Sequence, residues 1–167
     1  MRTEPSATRP ALAVENVRFA FGRKEVLRDV SFTVSGGSVC GLFGPNGSGK
    51  TTLFRCCLGL LTPQAGDIRV GGRPVSGLAA PELARQMAYV PQEHRPGFPF
   101  LVREIVAMGR TPHMRGFFRL SATDLDLVEQ AMELTGITDL ADEPFTALSG
   151  GQRQRVALGR AMVRNSA

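Results

Sequence analysis

The chain has 167 residues, of which 43% are hydrophobic and 21% charged, a composition that supports one domain with its own core and excludes a wholly disordered chain. The formal net charge is +5, but tryptophan is absent and there is one tyrosine, so few aromatic rings are available to stack on single-stranded nucleic acid. We therefore expect a solvated, arginine-rich surface and no nucleic-acid partner. The sequence contains no apolar run typical of a secretory signal or a membrane span, and neither is expected within it.

The first ninety residues predict mainly strands. Apolar residues recur in two extended segments, over about 14–19 and 26–34, which favours two β-strands. The short apolar run Val39–Phe43 is typical of a strand buried on both faces. The remaining predicted elements of this part are a helix over 52–61, a hairpin that turns at 71–72, a short helix over 82–86 and a strand over 87–90.

From about residue 97 the pattern becomes helical. Val102, Ile105 and Val106 have helical spacing. Ser121 and Asp124 have the spacing of a capping box for a second helix, with Gly136 placed to end it. A final helix is expected from about Gly150 to about Arg164.

A glycine-rich stretch, GPNGSGKT, matches the pattern G-x-x-x-x-G-K-[ST], with a predicted strand before it and a helix after it. Without Cβ atoms, backbone N–H groups can approach phosphate oxygens directly, and a helix N-terminus adds a favourable dipole. Lys50 would contact the β- and γ-phosphates, and the Thr51 hydroxyl would contact Mg²⁺. The predicted phosphate-binding residues are Gly44, Pro45, Asn46, Gly47, Ser48, Gly49, Lys50, Thr51 and Thr52.

The alternative interpretation is a plain glycine-rich turn before a helix. The full pattern arises by chance in roughly one chain of this size in a hundred. A phosphate-binding loop alone is shared by kinases, GTPases, helicases, motors and transport ATPases. The choice among these classes depends on other motifs.

A second glycine motif, LSGGQ at residues 148–152, precedes the final helix. Ser149 is well placed as its N-cap. Gly150 and Gly151 leave backbone amides open at a positive helix end, which suits an anion. The two motifs lie about 100 residues apart, so either both meet around one nucleotide or each meets a nucleotide shared with another copy. Spacing alone does not decide between these arrangements.

Together, GPNGSGKTT, YVPQ at 89–92 and LSGGQRQRVALGRA resemble the nucleotide-binding domain of ABC ATPases, in the order that the family shows. The resemblance covers about residues 11–165. It implies an α/β fold of the P-loop NTPase class, with a mixed core sheet, an N-terminal antiparallel β subdomain and an inserted helical subdomain over about 97–147. Residues 1–10 are expected to form a flexible lead, and 11–167 a partial nucleotide-binding domain.

The resemblance also implies roles for individual residues, with ATP and Mg²⁺ as cofactors. Phe21 matches the aromatic residue that stacks on adenine, although a strand-core role is the alternative. Gln92 matches the glutamine that contacts Mg²⁺ and the region of the attacking water, although it could be an ordinary polar loop residue. The LSGGQ motif would contact the γ-phosphate of ATP held by the opposite subunit of a head-to-tail dimer. The matching residues are Ser149, Gly150, Gly151 and Gln152.

Residues 102–113, VREIVAMGRTPH, resemble the corresponding segment of importers of iron chelates such as siderophores, of haem or of cobalamin. The resemblance implies that the helical subdomain contacts transmembrane permease subunits and, through them, serves a substrate-binding protein. The expected location is peripheral, on the cytoplasmic face of the plasma (inner) membrane. Other importers are the nearest alternative.

The family's later motifs have no counterpart here: an apolar strand ending in Asp-Glu, a D-loop and a switch histidine. Asp142 and Glu143 precede LSGGQ and do not match in order. We therefore expect an incomplete core sheet, a fragment of a longer product, and ATP binding with negligible turnover by these residues alone. The open alternatives are a soluble ABC ATPase without a membrane partner and a non-catalytic nucleotide-binding or interaction module. A P-loop kinase would not explain LSGGQ.

The histidines and cysteines do not form a metal-binding pattern. His94 and His113 have no ligand spacing between them, so surface or structural roles are expected. Cys40, Cys56 and Cys57 form no CxxC pair, and we expect three small buried apolar residues in a reducing compartment.

Overall fold

The structure is a computed structural model that describes residues 10–91, 99–113 and 120–165. The chain forms two compact units, divided between Gln86 and Met87. The first unit contains all the named strands and the second is helical. None of the described helices has the length and apolar character needed to cross a membrane.

The first unit is built on a four-stranded sheet of β1 (Leu12–Phe21), β2 (Lys24–Val34), β3 (Ala65–Val70) and β4 (Arg73–Pro74). The strand order is β2-β1-β3-β4, and every neighbouring pair is antiparallel. This confirms the two long predicted strands and the hairpin at Gly71 and Gly72, both of which have positive φ. The long strands β1 and β2 join through the two residues Gly22 and Arg23.

Irregularities in the strand register, including a bulge at Asn16, let β1 bury both of its halves. Val14 and Val17 are both fully buried, although strict alternation would place residues three apart on opposite faces. Asn16 takes up the extra residue with φ of 50°, and Asp29 on β2 has φ of 58°, so the phase of alternation shifts at this point. The side-chain Nδ2 of Asn16 donates a hydrogen bond to Asp29 Oδ1 at 3.2 Å, which joins the two bulged strands.

Gly66 on β3 lies directly against the bulge in β1. Its φ is 85°, and a Cβ built there would overlap the carbonyl oxygens of Glu15 and Asn16. Both the backbone conformation and the close approach therefore require glycine at this position.

Replacing Gly66 with alanine is expected to lower the free energy of unfolding by about 2 kcal/mol or more, because strain and steric overlap add. Urea unfolding measures this change. Gly36→Ala is the matched control, since it has open space around its Cβ position and no positive φ. Equal stability of the two variants would contradict the role assigned to the bulge.

Helix α1, Lys50–Cys57, begins two residues before the predicted 52–61 and ends four residues earlier. The chain turns away at Gly59, which has φ of 67°. The amides of Leu60 and Leu61 both donate to the carbonyl of Arg55, which closes the helix end. Helix α2, Ala80–Gln86, has Pro81 in its first turn, as predicted.

Two of the three cysteines lie in the core, as expected, and the third does not. Cys56 and Cys57 are buried on α1. Burial raises the pKa of Cys56, and it raises the pKa of Cys57 to about 11, so both remain neutral thiols that pack as small apolar groups. Cys40 is exposed.

Two predicted strands are wrong. Residues 39–43 and 87–90 are not in strand conformation. Val39 and Phe43 are 101% and 93% exposed. A strand buried on both faces needs hydrogen-bonded neighbours and covering layers, and none of the strands in the described ranges pairs with either segment. An apolar run has the side chains that a buried strand needs, but it does not determine whether another strand pairs with it.

The second unit packs its helices around one hydrophobic cluster. Its helices are α3 Val102–Ala107, α4 Ala122–Thr135 and α5 Gly150–Asn165, and a 3₁₀ segment over Met108–His113 follows α3. The Ser121–Asp124 capping box, the left-handed Gly136 and the extent of the final helix are confirmed. The cluster comprises Val102, Ile105, Val106, Val128, Ala131, Met132, Ile137, Phe145, Leu148, Val156 and Val163.

A buried ion pair connects three elements of this unit. Arg110 is 7% exposed. Its Nε donates to Asp124 Oδ1 at 2.7 Å, and its Nη1 donates to the carbonyl of Val163 at 2.9 Å. His113 Nε2 lies 2.6 Å from the carbonyl oxygen of Arg164, which gives this histidine a structural role, as expected. Positively charged side chains near the C-terminal carbonyls of a helix stabilise that end. The contacts from the 3₁₀ segment therefore stabilise the end of α5.

Hydrogen bonds from Ser121, supported by Arg110, lower the pKa of Asp124 to about 2 from its ordinary 3.8. Because the folded pKa is depressed, the stabilisation is present above about pH 4 and is lost as the pH falls through about 2. We expect Asp124→Asn to flatten the pH dependence of the free energy of unfolding in this window. Asp126→Asn, exposed on the same helix, should retain the wild-type slope. Identical slopes for all three proteins would contradict this assignment.

Candidate functional site

The loop before α1 contains two glycines in the left-handed conformation. Gly47 and Gly49 have φ of 82° and 94°, a region that favours glycine. A Cβ at Gly47 would meet nothing within 4 Å, whereas one at Gly49 would approach the carbonyl oxygen of Val26 to 3.0 Å. Gly49 therefore allows α1 to start close against β2, while Gly47 keeps the outer side of the loop open.

Lys50 is held over the same loop. Its ammonium donates to the carbonyl of Gly44 at 2.6 Å and to that of Pro45 at 2.8 Å. An ammonium has three N–H donors, so these two bonds orient the group and leave one donor for a phosphate oxygen. The loop also closes on itself, since the amide of Ser48 donates to the carbonyl of Pro45 at 3.2 Å.

The start of α1 suits an anion. Gly49 is its N-cap and provides no side-chain hydrogen bond, and the first turn contains no acidic residue. The first amides and the helix dipole therefore face an anion without competition from a carboxylate. Thr51 is exposed at this end. No group of three His, Cys, Asp or Glu side chains in the described ranges could hold a metal.

Phe21 ends β1 at the hairpin and is not a core residue. Its side chain is 51% exposed, in contrast to Phe19, which is buried. The two rings are in edge-to-face contact, with centroids 4.9 Å apart and an interplanar angle of 78°. This contact holds the Phe21 ring while leaving much of it accessible, which is what a stacking surface requires.

Strand β2 contacts both Phe21, through the hairpin, and Gly49, at the end of the glycine-rich loop. Lys24 pairs with Phe21 in the sheet register, and Val26, two residues farther along, supports Gly49. Two residues of strand span about 7 Å. Strand β2 thus contacts Gly49 at the start of α1 and pairs with Phe21 at the hairpin.

The LSGGQ motif forms a reciprocal capping box at the start of α5. The amide of Gln152 donates to Ser149 Oγ at 3.3 Å, which confirms the predicted N-cap, and the amide of Ser149 donates to Gln152 Oε1 at 2.8 Å. Arg153 follows, donating to the carbonyl of Thr146 at 2.8 Å and lying over the Phe145 ring. These contacts fix the direction of the helix start.

Gly150 and Gly151 are exposed, and no atom lies within 4 Å of their Cβ positions. Neither has a positive φ. The fold of this unit therefore does not explain why both are glycine. Gln92 and His94 lie outside the described residues.

Comparison with known proteins identifies the family. Residues 27–167 match the family described as ABC transporter. The chain belongs to this family.

Relatives of this ABC protein include import ATPases. The chain is 42% identical to the hemin import ATP-binding protein HmuV of Nocardia farcinica over 86% of its own length and 49% of the relative's. It is 44% identical to the cobalamin import ATP-binding protein BtuD of Halobacterium salinarum over 82% of its length and 34% of the relative's. The chain thus spans half or less of these two curated relatives.

Solved structures agree on the fold. An ABC transporter assigned to the metal-chelate type, in an inward-facing conformation, superposes with a TM-score of 0.77 and 32% identity over 93% of this chain and 56% of that one. The cbiO1 structure from Clostridium perfringens, part of the cbiONQ transporter complex, gives 0.80 and 28% identity over 93% of this chain and 62% of that one. These similarities support the α/β fold of the ABC P-loop class.

Gly151→Ala tests whether this glycine serves the fold or an external group. Alanine is the better helix former, so the free energy of unfolding should stay the same or rise by about 0.5 kcal/mol. Gly136→Ala is the contrasting control, since its φ of 62° makes alanine strained. Chemical denaturation compares the two variants. A clear loss of stability in Gly151→Ala would show that this glycine is needed by the fold itself.

Proposed function

We propose that the chain is the ATP-binding part of an ABC importer ATPase, which binds and hydrolyses Mg²⁺-ATP to energise transmembrane uptake. The observation that carries the proposal is the loop before α1, with its left-handed glycines and with Lys50 held over the Gly44 and Pro45 carbonyls. The names of the haemin and cobalamin import relatives support uptake as the process. They also support a metal chelate, such as a siderophore complex, haem or cobalamin, as the cargo.

In this proposal each site residue of the first unit has one defined role. The loop amides and the α1 N-terminus bind phosphate oxygens, and Lys50 adds a mobile positive charge. Thr51 offers a hydroxyl to Mg²⁺, whose role when bound is to neutralise charge between the phosphates. Phe21 supplies a ring face for the base. Gln92 is proposed to contact Mg²⁺ and to orient the attacking water.

The residues of the second unit serve partners. The exposed, capped start of α5 supports a role for Ser149, Gly150, Gly151 and Gln152 in binding the γ-phosphate of ATP on a second nucleotide-binding subunit, in a head-to-tail dimer. The helical subdomain would contact transmembrane permease subunits and serve a substrate-binding protein indirectly. The protein would then be peripheral, on the cytoplasmic face of the inner membrane.

Hydrolysis places a further requirement on the site. Phosphoryl transfer depends on positioned water and on stabilised charge, and residues 1–167 contain no apolar run that ends in Asp-Glu after LSGGQ. We therefore expect these residues alone to bind ATP with negligible turnover. Steady ATPase activity that Lys50→Ala abolishes would contradict this part of the proposal.

Lys50→Ala is expected to weaken Mg²⁺-ATP binding about tenfold or more, because a charge-assisted contact to phosphate is lost. Isothermal titration calorimetry measures the affinity directly. Arg73→Ala is the matched control, since it removes one exposed positive charge on β4, at the edge of the sheet away from β2. An unchanged affinity in Lys50→Ala would remove the support for a nucleotide site.

The importer assignment is tested in the source cells. Deleting the gene should abolish uptake of one class of radiolabelled cargo among haem, cobalamin and ferric siderophore. Complementation with the Arg73→Ala gene should restore that uptake, and complementation with Lys50→Ala should not. Normal uptake of all three classes in the deletion strain would favour an ABC ATPase without this transport role.

A further inference from the structure

The side chain of Gln64 takes the place of a neighbouring strand at the end of β1. The amide of Ala20 donates to Gln64 Oε1 at 2.8 Å, and Gln64 Nε2 donates to the carbonyl of Ala20 at 2.9 Å. One carboxamide thus satisfies both backbone groups of a single residue, as a paired strand residue would. The amide of Gln64 also donates to the carbonyl of Arg18 at 3.0 Å.

This contact lies where the sheet would otherwise leave β1 unpaired. The register between β1 and β3 ends at the pair Arg18 and Ala65. On its other edge β1 continues to pair with β2 as far as Phe21. Gln64 therefore extends the hydrogen bonding of the β3 edge by two residues, to the position immediately before Phe21.

Three contacts then hold the Phe21 ring in place. The hairpin to Lys24 fixes its backbone on one edge, Phe19 contacts the ring itself, and Gln64 fixes the preceding residue on the other edge. The ring remains half exposed. The energy of stacking depends on the position and angle of the ring face, so freedom in this backbone would reduce the affinity for a base.

Gln64 also belongs to the segment that follows the phosphate-binding helix. It lies seven residues after the end of α1. The intervening turn is bonded to α1 through the Arg55 carbonyl. The segment that leaves α1 therefore reaches back to the strand end that carries Phe21. The same helix presents Lys50 and Thr51 at its other end.

We propose that Gln64 is a positioning residue for the base-stacking ring of Phe21, so that the contribution of the nucleotide base to affinity depends on it. The inference rests on the proposed ATP site in the first unit and adds a residue that no sequence motif includes. It assigns Gln64 no contact with the nucleotide itself. If Gln64 only stabilised the fold, its substitution would instead weaken the binding of every ligand of the phosphate loop equally.

The test compares a ligand that has a base with one that lacks it. Titration calorimetry with Mg²⁺-ATP and with magnesium tripolyphosphate is carried out on the wild type, Gln64→Leu, Gln64→Glu and Phe21→Ala. Leucine has nearly the volume of glutamine but neither donates nor accepts, and glutamate retains the acceptor for the Ala20 amide. Gln86→Leu is the matched control, an exposed glutamine on α2 in the same unit.

We expect Gln64→Leu to weaken ATP binding by about 3- to 10-fold, the scale of losing one or two hydrogen bonds, while tripolyphosphate affinity changes less than about twofold. Gln64→Glu should fall between Gln64→Leu and the wild type. Phe21→Ala should show the same selectivity with a larger loss for ATP, and Gln86→Leu should match the wild type.

Two results would overturn the inference while leaving the ATP site intact: equal weakening of both ligands in Gln64→Leu, or unchanged ATP affinity in that variant while Phe21→Ala loses it. Failure of the proposed function looks different. A wild type that binds neither ligand, or a Phe21→Ala variant that keeps full ATP affinity, would overturn the nucleotide assignment of this unit and the role of Gln64 with it.

Discussion

Hydrogen bonding along both edges of β1 is the constraint on which the first unit depends. On one edge β2 pairs with β1 up to the hairpin, and on the other edge β3 pairs with it and Gln64 completes the ladder. Because β2 also supports Gly49 at the start of α1, the position of the glycine-rich loop is set by the same sheet that presents Phe21. Any slip in the register of β1 would move both.

The bulge is the local device that makes this register compatible with a buried core. Asn16 and Asp29 accept left-handed conformations, which asparagine and aspartate tolerate better than most residues. Their mutual hydrogen bond and the fit of Gly66 against the bulge compensate for the strain. The stability of the sheet and the geometry of the candidate site therefore depend on the same few residues.

In the second unit, α5 has the corresponding role. Its buried face contributes Val156 and Val163 to the core, and Gly109 allows the chain after α3 to approach the backbone of α5 closely. Arg110 and His113 engage carbonyls at its far end. The capped start of α5 therefore belongs to a helix that is anchored along its length.

Local chemistry determined much of what the sequence alone predicts correctly. The helix that follows the glycine-rich stretch, the Ser121–Asp124 capping box and the Ser149 N-cap depend on residues within eight positions of one another. Their types and spacing are sufficient, because backbone amides, helix dipoles and short side chains act at close range. The four antiparallel strands also follow from short-range alternation and turn chemistry, apart from the exact positions of the bulges. The family followed from the order of these motifs.

What only the tertiary structure decided involves partners distant in the chain. The apolar run 39–43 has the composition of a buried strand, but pairing decides whether it becomes one, and no described strand pairs with it. The contact of Gln64 with Ala20 joins residues 44 positions apart, and the ion pair between Arg110 and Asp124 depends on how two helical segments pack. The sequence by itself determined the local sites, because their physics is local. The folded chain decided which side chains support them, because that depends on which distant segments meet.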